Sequence, residues 1–396
     1  MSFLNTASWI AVSAIVAVLT CASAVAQDEA PAAKPGQAAA RPGVQAGDYN
    51  VSDRTQADEK LPNPYARDEV FFKFPKDRTL GAASAIAIGK DGKSIWIAER
   101  CGGQDLCFGP NAHVAPVIEF DAKGNAVRTF GADMIVYPHG IHVDRDGNVW
   151  VADLQSNVDW AAQRDHKAPP NAPVNPKPNG ADVLKFSPTG KLLMRLGTPG
   201  VYGNDETHLS QPSAIITSLN GDIFVADGHD TPPSNSRIVK YDRTGKFIKA
   251  WSSCGNNPAT QLDCNHALAI DSHGHIFVGN RGNNRIEVFD QEGNLLAEWT
   301  QFGKPSGLFI DKNDVLYSAD SESSVRQHNA YVRGVHVGSA ETGVVTAFIP
   351  DPLGNPAPWN PLRGTTGSEG VTVDRDGIIY TSQVTPPGLA KYTLRK

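Results

Sequence analysis

A chain of 396 residues, 40% of them hydrophobic and carrying a formal net charge of −6, has ample apolar side chain for a large core. The mild acidity gives no reason to expect nucleic acid or an anionic membrane surface as a partner.

Residues 1–26 have the build of a secretory signal peptide. The apolar stretch from Trp9 to Leu19 is short for a bilayer span, and Ala24-Val25-Ala26 fits the small-x-small cleavage rule. Its removal would leave no transmembrane segment and a periplasmic or secreted protein. Residues 27–67, rich in Ala, Pro, Gly and Gln without an apolar period, are expected to form a disordered linker. The folded body is expected over 68–396.

Four cysteines remain after the signal segment: Cys101, Cys107, Cys254 and Cys264. They allow three pairings, of which the short-range Cys101–Cys107 and Cys254–Cys264 are favoured by proximity in the chain. An exported protein makes disulfides chemically reasonable, and neither spacing is that of a zinc-thiolate pair.

From Ser84 onward one unit recurs six times. Its first strands are SAIAI, HGIHV, SAIIT, HALAI, SGLFI and EGVTV; the second strands are IWIAE, VWVAD, IFVAD, IFVGN, LYSAD and IYTSQ. Asp144, Asp271, Asp311 and Asp374 recur between them as turn residues that accept from nearby backbone N–H groups. Third and fourth strands are clearest in SRIVKYDRTGKFIKAW and NRIEVFDQEGNLLAEW. Short strands with turn signals at this period predict an all-β, six-bladed β-propeller. The sixth copy is one strand short, and VFFKF at Val70–Phe74 is expected to complete it. Trp96, Trp150, Phe224, Phe277, Tyr317 and Tyr380 are expected to form an aromatic ring in the core.

Stacking the six copies puts Ser84, His139, Ser213, His266, Ser306 and Glu369 in one column at the start of each inner strand. Serine alternates with a metal-capable side chain. Alternate blades face the channel axis from three sides, so His139, His266 and Glu369 are expected to converge as an open site for zinc or non-haem iron. A single histidine at a strand start is ordinarily a hydrogen-bonded turn residue; the alternation is what favours a ligand. His142 lies outside the column, and His273 and His275 flank a turn glycine. The segments after the second strands return to the same face and carry Arg100, His229 and Arg281. The two arginines could clamp a substrate carboxylate, and His229 could act as general base. Ion pairs with neighbouring blades are the plainer roles for the arginines, and His229 could equally be a loop imidazole.

The passages PSGLFIDKNDVLYSAD and VGNRGNNRIEVFDQEGNLL resemble NHL repeats. PHGIHVDRDGNVWVAD and NRGNNRI are similar to the catalytic core of the peptidyl-α-hydroxyglycine α-amidating lyases. That resemblance implies a zinc ion on three histidines, two of them matching His139 and His266, with Glu369 in place of the third. It also implies two functional arginines, matching Arg100 and Arg281, and an essential tyrosine replaced by His229. A structural calcium of the family relies on an aspartate at the position of Gly370, which has no side chain to offer. The leading expectation is a metal-dependent carbon–nitrogen lyase taking a small-molecule or peptide substrate in the propeller channel. The alternatives are a metal-dependent lactonase or other hydrolase, and a non-catalytic propeller that binds a protein or peptide.

Overall fold

The computed structural model describes residues 60–75, 77–103, 106–158, 177–229, 235–252, 265–323, 332–352 and 367–396. Among them the chain forms six four-stranded antiparallel sheets. Blade one holds β2 (Ala85–Ile88), β3 (Ile95–Ala98), β4 (Val117–Phe120) and β5 (Ala126–Phe130); blade two holds β6 (Pro138–Val143), β7 (Val149–Asp153), β8 (Asp182–Phe186) and β9 (Leu192–Leu196). Blade three holds β10 (Pro212–Thr217), β11 (Ile223–Asp227), β12 (Arg237–Tyr241) and β13 (Phe247–Ser252); blade four holds β14 (Asn265–Ile270), β15 (Ile276–Asn280), β16 (Arg285–Phe289) and β17 (Leu295–Trp299). Blade five holds β18 (Pro305–Ile310), β19 (Val315–Asp320), β20 (Gly334–Ser339) and β21 (Val345–Pro350). Blade six combines β22 (Ser368–Val373), β23 (Ile379–Gln383) and β24 (Gly388–Leu394) with β1 (Tyr65–Asp68). Each inner strand packs on that of the next blade, and β22 on β2, which closes the ring. The expected six-bladed propeller is what the chain forms.

The closing strand differs from expectation. Tyr65 to Asp68 pair with Leu394 to Lys391, and Arg395 adds bonds to the carbonyls of Pro64 and Tyr65 at 2.7 and 2.9 Å. The folded body therefore begins before Asp68. Val70–Phe74 instead runs beside the blade-one hairpin turn, where the Lys73 amide donates to the Gly124 carbonyl at 2.8 Å. The rings of Phe72 and Phe74 meet Phe120 at 5.0 and 5.3 Å, and those of Phe71 and Phe72 meet Tyr380 at 5.8 and 6.0 Å. Consecutive Phe71 and Phe72 thus fill the seam between the first and last blades together, which a two-faced strand could not do.

The turn aspartates behave as expected. Asp144 accepts from the amides of Asp146 and Asn148 at 3.0 and 2.8 Å and also from the Trp150 indole N–H at 3.0 Å. All six aromatic positions of the expected ring are buried. A second carboxylate, at the end of the second strand, has a separate task. Asp153 accepts from the amides of Val136 and Tyr137, Asp227 from that of Ser210, Asp320 from that of Lys304 and Glu99 from that of Gly81. Each ties its second strand to the segment entering the inner strand and so fixes the head of the channel.

The second position of every inner strand is small: Ala85, Gly140, Ala214, Ala267, Gly307 and Gly370. Neighbouring backbones approach closely here. A Cβ on Gly140 would lie 2.6 Å from the Ser213 carbonyl oxygen and 2.8 Å from Ala214 Cα. The third positions, Ile86, Ile141, Ile215, Leu268, Leu308 and Val371, form an aliphatic ring below the Ser/His/Glu column.

Candidate metal centre

All of the column but Glu369 lines a cavity of about 60 Å³ at the head of the channel, with His139 and His266 on opposite sides of Ser213. Both imidazoles are buried. Their Nδ1 atoms each meet a carbonyl of the next blade: His139 the Ser213 oxygen at 2.8 Å, His266 the Ser306 oxygen at 2.6 Å. A carbonyl can only accept, so Nδ1 carries the proton and Nε2 presents its lone pair. The alternation in the sequence acquires a physical meaning. The residue after each histidine-bearing blade supplies the carbonyl that orients the imidazole, and a serine there leaves the channel open.

His229 joins them from the loop after β11. The ring centroids of His139, His229 and His266 lie 4.6, 4.7 and 4.8 Å apart in their three pairings, and one ligand atom from each falls within 4.8 Å of the other two. These three imidazoles could hold a metal ion. The structure thus brings His139 and His266 together with His229 as a third imidazole. Glu369 borders the cluster, its Oε1 3.4 Å from His266 Nε2.

Burial holds His139 well below the ordinary histidine pKa, reinforced by the neighbouring His266; burial and then Arg281 do the same for His266. Both are neutral at physiological pH. Neither Nε2 makes a hydrogen bond. The Nε2 atoms of His139 and His266 thus lie buried without a donor. Buried imidazole acceptors are costly unless a cation satisfies them, which makes the histidine cluster suited to a metal ion.

The arginines are both buried at this mouth. Arg100 Nη2 donates to Ser84 Oγ at 2.8 Å, and its guanidinium stacks 4.0 Å from the Tyr137 ring centroid. The Cys101–Cys107 disulfide follows it directly; the expected Cys254–Cys264 pair lies outside the described residues. Arg281 Nη1 stands 3.1 Å from Glu322 Oε1 and 3.7 Å from Glu369 Oε1, and Lys304 pairs with the other Glu322 oxygen. Burial pushes the Glu322 carboxyl up, but Arg281 and Lys304 outweigh it and hold it below the usual range. Glu322 and Lys304 lie outside the repeating column and were not legible from it.

A side chain at Gly370 would strike Ala85 Cα at 2.8 Å and the Ile86 amide at 3.0 Å, so a calcium-binding carboxylate does not fit there. His142 is remote from the cluster in the column and bonds Thr217 Oγ1 at 2.9 Å in the lower channel. Among the described residues no helix is long and apolar enough to cross a membrane.

No family model matches the chain. It is 24% identical over 341 residues to Caenorhabditis elegans pgal-1, named a "probable peptidyl-alpha-hydroxyglycine alpha-amidating lyase", covering 82% of this chain and 86% of that protein. It is 33% identical over 265 residues to human NHL repeat-containing protein 3, covering 64% of this chain and 66% of that one. Against mouse peptidyl-glycine alpha-amidating monooxygenase the identity is 31% over 174 residues, covering 42% of this chain but 15% of the relative.

Proposed function

We propose that this chain, a six-bladed β-propeller of the NHL type with amidating-lyase relatives, is an exported metal-dependent lyase that cleaves the C–N bond of a carbinolamide. The observation that carries this reading is the convergence of His139, His229 and His266 on one space, with Nε2 lone pairs of His139 and His266 directed by backbone carbonyls. A zinc or iron ion held by these imidazoles would supply Lewis acidity toward a substrate hydroxyl.

The chain's own groups divide the remaining work. Arg100, stacked on Tyr137, is placed to bind a substrate carboxylate at the mouth. Glu369 Oε1 is placed to accept the substrate hydroxyl proton and return it to the departing amide nitrogen. The O–H and C–N bonds break, a C=O and an N–H form, and the products are an amide and an aldehyde-acid. His229, anticipated as the base, is assigned to the metal because its ring sits equally close to both other imidazoles. The aliphatic ring below the column gives the lower channel a largely apolar lining.

The test is to incubate the mature protein with an N-acyl-α-hydroxyglycine and, separately, with a simple lactone. Release of amide and aldehyde-acid supports the lyase. Lactone hydrolysis alone would replace it with a hydrolase, and inertness toward both with retained peptide binding would replace it with a binding propeller.

A further inference from the structure

We infer that Glu322 and Lys304 form a positioning pair that aims Arg281, and through it the Glu369 carboxylate, at the space faced by His266 Nε2. The inference rests on the metal reading above and adds two residues to it. Lys304, Glu322, Arg281 and Glu369 form a line of alternating charge that crosses three consecutive blades, from five to four to six. Lys304 enters β18, Glu322 leaves β19, Arg281 leaves β15 and Glu369 opens β22.

The line is anchored at one end and functional at the other. The buried Asp320 carboxylate receives the Lys304 amide at 2.8 Å, the Glu322 amide at 3.1 Å and the Ser323 amide at 2.9 Å. One side chain thus fixes the backbones of both members of the pair. At the other end Glu369 Oε1 lies between the Arg281 guanidinium and His266 Nε2, at 3.7 and 3.4 Å. Buried charges rarely repay their desolvation in stability, and apolar side chains would fill the same volume at less cost. Holding a carboxylate in one orientation beside a metal-binding imidazole is a task that apolar side chains cannot perform. Outer groups that orient metal-site side chains are worth about 10–100-fold in metal affinity.

The experiment is a double-mutant cycle on zinc affinity, measured by competition with a chromophoric chelator on the full mature chain. Glu322→Gln is expected to weaken zinc binding about tenfold in the native background and to have no further effect in a Glu369→Gln background. Because Glu322→Gln removes a buried counter-charge, a Lys304→Gln/Glu322→Gln variant is measured beside it, with circular dichroism as the fold control. It is expected to show the same dependence on Glu369. An equal loss in both backgrounds would identify Glu322 as a through-space charge and overturn the positioning role. No loss in the native background would overturn it as well. A native chain that takes up no zinc would overturn the metal reading and this inference with it.

Discussion

His139 and Ser213 stand on adjacent inner strands, and the imidazole Nδ1 meets the serine carbonyl at 2.8 Å. That contact sets the tautomer and leaves Nε2 toward the channel. The neighbouring Gly140 has no room for a methyl group, because a Cβ would lie 2.6 Å from the same carbonyl oxygen. Gly140→Ala is therefore expected to displace the carbonyl and weaken metal affinity about 10–100-fold, although it removes no ligand. Chelator competition checks this; an unchanged affinity would show that the carbonyl does not orient the imidazole.

His229 gives a sharper division between roles. His229→Ala is expected to lower zinc affinity along with activity, whereas loss of a base alone would leave affinity intact. Glu369→Gln is expected to weaken zinc binding only about tenfold, less than loss of an imidazole ligand, and to lose turnover by about 10²–10⁴-fold even with zinc in excess, as for removal of a proton-transfer group. Metal titration and kinetics on the two variants separate the assignments.

The closing strand makes a stability prediction. A chain begun at Lys60 keeps the pairing of Tyr65–Asp68 with β24, while one begun at Glu69 loses it and exposes an edge. The shorter chain is expected to melt at a lower temperature and to aggregate more readily. Equal melting would mean that the Phe71, Phe72 and Phe74 seam alone holds the ring shut.

His142 confers a pH dependence. Burial lowers its pKa to about 4, against an ordinary value of 6.5, so the unfolded chain takes up a proton before the folded one does. Its contribution is fully present above pH 6.5 and is lost as pH falls from 6.5 toward 4. The loss is on the order of 3 kcal/mol for a shift of this size. His142→Gln is expected to flatten that part of the stability profile, read by urea unfolding across the range.

The legible parts of the molecule were those that repeat. Short strands, turn aspartates and the aromatic ring recur at one period, and the His139/His266 column emerges from stacking the copies. Residues that act across blades leave no such trace. His229 sits on a loop, where only the folded chain shows its ring 4.6 Å from that of His139. The Lys304–Glu322 pair joins positions 18 apart that share no slot in the repeat. The closing strand was misplaced because VFFKF is more apolar than YARD, whereas strand addition is decided by main-chain pairing with β24. The carboxylates ending the second strands were visible as a pattern in Asp153, Asp227 and Asp320, but their backbone partners lie in the preceding segment.

Elemental analysis of the purified mature protein, beside a His139→Ala/His266→Ala variant, tests the metal centre most directly. About one equivalent of zinc or iron is expected in the native chain and none in the variant. A native chain that is metal-free and fails to take up added zinc, or a variant that retains the metal, would contradict it.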